Sequence, residues 1–187
     1  MSIFDISYLV LWAIIAVQTY YIVQIGKKKV VTTANNQMEF SLVEENHGIA
    51  KGKVFPQQQF DSINHGSFDL QRTRKSGGYL VAFTSVRCAS CKLVYPLLKN
   101  FHEQHTDVQV VVLMQGDEES ILQNIQDYEL NMPVVQIAPS DMQRLETGHY
   151  PFFYYLDSTT QVRTKSIINH EGQLKRLVEE GRLKTAV

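Results

Sequence analysis

This sequence of 187 residues has few cysteines and no excess of positive charge. Only two cysteines occur, which excludes a small secreted scaffold held together by several disulfides. Lys and Arg together number 18 against 19 for Asp and Glu, so the chain lacks the basic surplus on which nucleic-acid binding depends. With 44% hydrophobic and 20% charged residues, the composition is typical of a chain that folds around a packed core.

An uncharged apolar run extends from Ile6 to Ile25. As a helix, about 20 residues at ~1.5 Å each cover the ~30 Å hydrocarbon core of a bilayer. A cleaved signal peptide is the main alternative, but its usual basic start and small-residue cleavage site are missing, and Asp5 precedes the run. We therefore predict a single transmembrane helix within an N-terminal anchor, residues 1–26.

A basic run, Lys27, Lys28 and Lys29, follows the predicted anchor and opens a mostly polar stretch. We interpret residues 27–51 as a juxtamembrane linker and residues 52–187 as the globular domain. By the positive-inside rule, the lysine run would keep that domain in the cytoplasm.

The globular part begins with two apolar runs, Tyr79–Phe83 and Val108–Met114, that are typical of buried strands. Apolar residues at helical spacing lie between the two runs and predict a crossover helix, hence a parallel βαβ unit. These residues are Leu93, Val94, Leu97, Leu98 and Phe101.

Shorter elements are predicted further along, and together they indicate an α/β sandwich with helices packed on a mixed sheet. First come a helix capped by Asp117 that buries Ile121 and Leu122, and a strand at 133–137. A short helix capped by Ser140 follows, and then an antiparallel hairpin of 152–156 and 162–168. The last predicted helix ends near Gly181.

The Cys88-Ala89-Ser90-Cys91 motif lies between the end of a strand and the start of a helix. Free amide donors and the positive helix end favour a thiolate there, and such sites lower a cysteine pKa from ~8.5 toward ~3.5 to 7.5. Cys88 is therefore the predicted attacking thiol. Cys91 shares a helix face with apolar residues and is the predicted resolving thiol, turned inward. The pair can exchange disulfides with a substrate through a mixed disulfide.

The motif has three alternative interpretations, which are a structural disulfide, a zinc site and a peroxide-reducing site. A purely structural disulfide would close a very small loop and stabilise little. Zinc binding by Cys88, Cys91, His102 and His105 fails on geometry, because an unbroken helix separates Cys91 from His102 by about 16 Å. We therefore predict no metal, and interpret both histidines as surface residues. A peroxide-reducing site remains a third possibility, since Ser85 to Cys88 resembles the Thr-x-x-Cys of peroxiredoxins, although Val81 replaces the expected proline.

Two prolines add to the pattern. Pro96 falls inside the helical spacing after Cys91, where it removes a hydrogen bond or kinks the helix. Pro151 follows Tyr150 directly before an apolar run. Most X-Pro bonds are trans, but a cis bond here would let the backbone at Tyr150 face the cysteines and pair with an extended polypeptide.

Together these motifs resemble the thioredoxin superfamily. The segment YLVAFTSVRCASCKLVYPLL resembles its strand, Cys-x-x-Cys, helix and kink proline, and HYPFFYYLDSTTQV resembles its cis-proline, strand and hairpin. The interval of 60 residues from Cys91 to Pro151 is similar to that of the membrane-anchored TlpA-like and ResA-like branch. More narrowly, LVLWAIIAV, GKVFP and CASC look like the MauD family of methylamine utilisation.

The resemblance implies a thioredoxin-like fold and a membrane-anchored thiol-disulfide oxidoreductase. It implies catalytic Cys88 and Cys91, a substrate site formed by Arg87, Tyr150 and cis-Pro151, and no cofactor. The implied partners are a protein disulfide substrate that matures outside the cytoplasmic membrane and a membrane protein that recharges the pair. This location conflicts with the lysine run, which favours the cytoplasm.

Departures from the family pattern leave the direction of exchange open. Arg87 replaces the usual Trp before the first cysteine, and its charge should favour the Cys88 thiolate. The buried acid of thioredoxins falls at Ala82, and the helix glutamate of ResA-like proteins falls at Val94. Reduction, oxidation and isomerisation of disulfides therefore all stay open, as does a non-catalytic binding module of the same fold.

Overall fold

The computed structural model describes residues 12, 14–20, 47–73 and 75–184. The chain divides into two compact units, residues 1–43 and 44–187. In the first unit, Trp12 and residues 14–20 are helical and exposed. The rest of the predicted anchor and the run Lys27–Lys29 lie outside the described residues. Among the residues that the structure describes, no helix has both the length and the apolar character needed to cross a bilayer.

Within the described part of the second unit, a seven-stranded mixed sheet forms the centre. In chain order the strands are β1 (Gln59–Ser62), β2 (Gly66–Asp69), β3 (Tyr79–Ser85), β4 (Gln109–Gln115), β5 (Val134–Ile137), β6 (Phe152–Leu156) and β7 (Val162–Ile167). The strands β3, β4 and β5 run parallel, and antiparallel hairpins lie at both edges. Across the sheet the order is β2-β1-β5-β4-β3-β6-β7, with β6 antiparallel to β3.

Helices cover both faces of the sheet, which confirms the predicted α/β sandwich. These helices are α1 (Ala89–Gln104), α2 (Glu118–Asp127), α3 (Pro139–Arg144) and α4 (Glu171–Leu183). On one face, α1, α2 and α4 contribute to a single hydrophobic cluster. On the other face, α3 packs together with the segment 47–55.

Burial on both faces explains the continuous apolar sequence of the central strands. In β3, Leu80 and Ala82 belong to the cluster under α1. The alternating Tyr79, Val81 and Phe83 belong to the cluster on the opposite face. Successive side chains of a strand point to opposite faces, so a parallel strand covered on both sides requires apolar residues throughout.

The predicted inward orientation of two leucines is wrong. Leu93 of α1 is 67% exposed and Leu122 of α2 is 40% exposed. Leu93 directly precedes the buried Val94, and Leu122 directly follows the buried Ile121. Because adjacent residues of a helix point about 100° apart, both members of such a pair cannot face the core. The core side of each helix is therefore narrower than the apolar sequence indicated.

Two predicted helix ends also differ from the structure. Ser140 does not cap α3, because Ala138 occupies the N-cap position and its N–H donates to the Asp141 carboxylate at 2.9 Å. Gly181 does not end α4 but lies buried inside it, and Tyr155 of β6 packs where a side chain would stand.

Candidate redox site

The loop that carries the first cysteine is fixed to the ends of two parallel strands. The Val86 N–H donates to the Gln115 carbonyl at 3.0 Å, and the Cys88 N–H donates to the Ser85 carbonyl at 3.1 Å. These bonds place Cys88 at the N-cap of α1. An N-cap side chain faces free amide groups and the positive end of the helix, so negative charge on its sulfur is stabilised there.

Cys88 and Cys91 form a disulfide, with their Cα atoms 5.3 Å apart. The Cys91 N–H donates to Cys88 Sγ at 3.1 Å, which is the kind of bond that would also stabilise a Cys88 thiolate. Cys91 is completely buried, whereas Cys88 is partly exposed. The predicted inward position of Cys91 is confirmed, and Cys88 is the more exposed residue of the pair.

The interior behind the disulfide is apolar. Ala82 and Val94, the positions at which the resemblance to thioredoxins and ResA-like proteins would place an acid, are completely buried in the same cluster as Cys91. Within the described residues, the buried side chains that carry a formal charge are Asp157 and Lys165, both on the β6–β7 hairpin. Ala82 and Val94 therefore supply no proton acceptor for Cys91.

The Tyr150–Pro151 peptide bond is cis, as the resemblance implied. Phe152, the next residue, pairs with Phe83 of β3, so Pro151 lies beside the end of the strand from which the cysteine loop emerges. Tyr150 is partly buried, which raises its pKa to about 12. Its hydroxyl donates to Met142 Sδ at 2.8 Å, a contact that nothing in the sequence indicated.

The histidines of the near zinc motif do not assemble around the cysteines. Cys91 and His102 both lie in the uninterrupted helix α1, which holds them about 16 Å apart. The interpretation of His102 as a surface residue is wrong, because its side chain is half-buried. Burial, with smaller effects of His65 and Lys75, lowers its pKa. His105 is also only partly exposed.

A groove of about 770 Å³ opens beside the cysteine loop, on the β4 side of β3. Its walls are the residues that follow three parallel strands, namely Ser85–Arg87, Gln115–Asp117 and 136–139 together with Asp141. Of these, only Arg87 was predicted to belong to the site. The one indication in the sequence is that these residues directly follow the predicted strands, because ligands in α/β sheets bind at the carboxyl ends of parallel strands.

Comparison with known proteins identifies the fold. No family model and no curated protein matches the sequence. The thioredoxin domain of a thiol-disulfide oxidoreductase from Bacteroides vulgatus is similar at 17% identity and a TM-score of 0.58, over 70% of this chain and 99% of that chain. A thiol:disulfide interchange protein of the thioredoxin family from Chlorobium tepidum gives 14% identity and 0.58, over 71% and 99%.

A third similar structure is a secreted disulfide oxidoreductase from Mycobacterium tuberculosis, at 17% identity and a TM-score of 0.53, over 65% of this chain and 93% of that chain. These likenesses show that the chain has a thioredoxin-like fold. They do not bear on the resemblance to the MauD family, which stays a prediction.

Proposed function

We propose that this thioredoxin-like chain is a thiol-disulfide oxidoreductase that acts on protein disulfides through Cys88 and Cys91. The observation that carries the proposal is the asymmetry of the pair. One sulfur is accessible and stabilised at a helix N-cap, and the other is completely buried behind it. Such a pair suits two-step exchange, in which one thiol attacks and the second resolves.

In the reducing direction, the Cys88 thiolate attacks one sulfur of a substrate disulfide. A Cys88–substrate bond forms, the substrate disulfide breaks, and the leaving thiolate takes a proton from water. Cys91 then loses its proton, attacks Cys88 Sγ and releases the second substrate thiolate. Two electrons pass to the substrate, and the Cys88–Cys91 disulfide remains.

The rate at which Cys91 resolves the mixed disulfide depends on where its proton goes, because the thiolate is the attacking form. Ala82 and Val94 offer no acceptor, and burial raises the pKa of Tyr95, so that phenol stays protonated. The proton must pass to solvent or to the departing substrate thiolate. The absence of an acid at these two positions is compatible with disulfide donation or isomerisation as much as with reduction.

The substrate site we propose consists of Arg87 and the cis-proline loop. Arg87 is exposed beside Cys88, where its positive charge favours the thiolate. The backbone at Tyr150 and Pro151 lies at the end of β3 and would pair with an extended client polypeptide.

The proposal also includes a membrane anchor, a location for the domain and its partner proteins. The uncharged run at Ile6–Ile25 supports a single-pass membrane anchor. The resemblance to MauD supports a domain outside the cytoplasmic membrane that helps a disulfide-rich partner mature, although Lys27–Lys29 favour the opposite orientation. A membrane redox protein would then recharge the pair.

A non-catalytic binding module is the second candidate. The surface at Tyr150 and Pro151 favours it, because peptide binding there needs no sulfur chemistry. Replacement of the cysteines separates the two candidates.

The purified full-length chain, reduced and held in detergent, provides the test. We expect Cys88→Ser to slow cleavage of a disulfide-linked reporter peptide by roughly 100-fold or more, because the attacking thiol of the pair is lost. Cys91→Ser should accumulate a mixed disulfide visible by mass spectrometry. Ser158→Ala, an exposed residue in the turn between β6 and β7, is the control and should retain the wild-type rate. Wild-type activity in Cys88→Ser would leave the binding module as the better account.

A further inference from the structure

We propose that Met142 is a positioning residue for client binding. Its sulfur holds the Tyr150 hydroxyl, and this bond fixes the loop before the cis-proline in the place where an extended client polypeptide would pair. The inference rests on the proposed exchange function. It adds a residue that acts through Tyr150 and not on the reacting sulfurs.

The loop that leads into the cis-proline, residues 148–150, has little main-chain support. Among the described residues, none of these three shares a hydrogen bond with another main-chain group. Gly148 and His149 are exposed, and Pro151 has no N–H to donate. Regular pairing begins only at Phe152, where β6 meets β3. Side-chain contacts must therefore hold the loop in place.

The side-chain contacts of this loop differ in their protection from water. The Tyr150 hydroxyl donates to Met142 Sδ at 2.8 Å, and the His149 ring lies edge-on to the His47 ring with centroids 4.4 Å apart. Both histidines are exposed, so water competes with their contact. Tyr150 is partly buried and packs against the hydrophobic clusters on both faces of the sheet. The contact with Met142 is the better protected of the two.

Donor and acceptor in the Tyr150–Met142 contact are fixed by chemistry. A thioether sulfur can only accept a hydrogen bond. The Tyr150 hydroxyl can donate because burial raises its pKa to about 12, which keeps the group protonated at neutral pH. A partly buried hydroxyl that loses its partner is destabilised, so the bond favours one orientation of the Tyr150 side chain.

Met142 can hold the loop because its own backbone is held. It lies in α3, and its carbonyl accepts the Thr147 N–H at 3.1 Å. The carbonyl of Leu145, the C-cap of the same helix, accepts the hydroxyl of Tyr154 in β6 at 3.1 Å. Tyr154 is completely buried, so this bond ties α3 to the sheet. The sulfur is thus an acceptor on a fixed helix.

The bond connects this helix to the surroundings of the cysteines. Tyr150 and Cys88 pack against the same hydrophobic cluster. A client that pairs with the loop backbone needs one loop conformation, and a loop that is ordered beforehand lowers the cost of binding. Loss of the bond should therefore slow the reaction of an extended peptide more than that of a small disulfide, which can reach Cys88 without pairing.

The test measures one chemical step in the full-length Cys91→Ala chain with two substrates. One is a short extended peptide whose central cysteine is joined to thionitrobenzoate, and the other is the symmetric disulfide of two thionitrobenzoates. In both reactions the Cys88 thiolate forms a new disulfide, the old one breaks, and thionitrobenzoate leaves with the electron pair and absorbs visibly. The measured quantity is the ratio of the peptide rate to the small-disulfide rate.

We expect Met142→Leu to lower this ratio about fivefold, because leucine fills a similar space without an acceptor. Met142→Gln should keep the ratio within about twofold of the parent chain, because its amide oxygen can accept the bond. A purely structural role would reverse this order, since leucine suits the apolar surroundings of Met142 better than glutamine does. Gln143→Ala, an exposed neighbour on α3, is the matched control and should leave the ratio unchanged.

A double-mutant cycle tests whether the two side chains act through one bond. Tyr150→Phe removes the donor and should lower the ratio as much as Met142→Leu does. The chain that carries both changes should show no further loss, because the bond is already absent from each single variant. Thermal unfolding of each variant, with a midpoint close to that of the parent chain, provides the check on folding.

Three results would count against the positioning role. A parent-like ratio in Met142→Leu, or an equal fall in Met142→Gln, would overturn it and leave the exchange function intact. Losses that add in the double variant would overturn it as well, because the side chains would then act independently. Release of no thionitrobenzoate from either substrate by the parent chain would refute the exchange function, and the role of Met142 with it.

Discussion

At the scale of single residues, Asp157 is a buried charge that several hydrogen-bond donors surround. Thr159 donates its N–H and hydroxyl to Oδ1 at 2.8 and 2.7 Å, and the Gln161 N–H donates at 3.0 Å. The Arg163 guanidinium binds Oδ2 at 2.7 Å. Burial acts to raise the pKa of Asp157, but these donors outweigh it and leave the pKa below its usual value. The carboxylate thereby stabilises the turn that joins β6 to β7.

This depressed pKa predicts a pH-dependent contribution to stability. The contribution is present above the unfolded-state pKa of about 3.9 and is lost as the pH falls through the folded-state value. We expect Asp157→Asn to lower the free energy of unfolding by about 1–3 kcal/mol at neutral pH, and by clearly less near pH 3. Urea unfolding at both pH values measures this, with the exposed Asp127→Asn as control. A difference from wild type that stays constant or grows toward low pH would contradict the role assigned to Asp157.

Residue-level predictions succeeded where a local pattern decides the geometry. The spacing of Cys88 and Cys91 at a helix start is enough to make one sulfur accessible and bury the other. The pairing of the His149 and His47 rings, with centroids 4.4 Å apart, joins residues distant in sequence. Neither it nor the half-burial of His102 has a local signature, so sequence reasoning missed both.

At the scale of elements, the packing of α4 on β6 depends on a glycine. Gly181 is buried in the helix, and a Cβ there would approach Tyr155 Cε1 to 2.7 Å. Tyr155 is anchored by its hydroxyl, which donates to the Gly77 carbonyl at 2.6 Å, so its ring cannot easily move aside. Glycine usually marks the end of a helix, but here the close approach of two elements explains it.

We expect Gly181→Ala to destabilise the fold despite the better helix propensity of alanine. The propensity gain is about 1 kcal/mol, whereas overpacking against a fixed ring costs about 1–3 kcal/mol or more. Gly172→Ala, in the first turn of the same helix, is the matched control, because its Cβ would meet only His170 at an ordinary 3.5 Å. Thermal unfolding should show a lower midpoint for Gly181→Ala and an equal or higher one for Gly172→Ala. Equal or greater stability of both would contradict this packing.

The hairpin of β1 and β2 shows why some elements leave little trace in a sequence. Both strands are four residues long, and β2 has no buried residue. The hairpin is attached to the sheet through the pairing of Ser62 with Val135 and through Asn64, which bonds to the backbone of residues 130, 132 and 134. These are long-range contacts, and neither apolar alternation nor an Asn-Gly turn marks the hairpin.

At the scale of the whole molecule, the arrangement of strands brings the functional parts to one edge. The cysteine loop follows β3, the cis-proline loop precedes β6, and the groove follows β4 and β5. The βαβ unit and the later hairpin could be predicted because long apolar runs and a crossover restrict the topology. The groove could not, since its walls meet only when three strands and two helix starts are assembled.

The most direct test of the central claim, exchange of protein disulfides through Cys88, is covalent trapping by Cys91→Ala in cells that naturally contain this protein. We expect client proteins to remain joined to Cys88 after acid quenching, because no resolving thiol is present to release them. Exported clients would also support the location outside the cytoplasmic membrane, whereas cytosolic clients would reverse it and keep the chemistry. The Cys88→Ser/Cys91→Ala chain should trap nothing. A well-expressed Cys91→Ala chain without any Cys88-dependent adduct would contradict the account and favour the binding module.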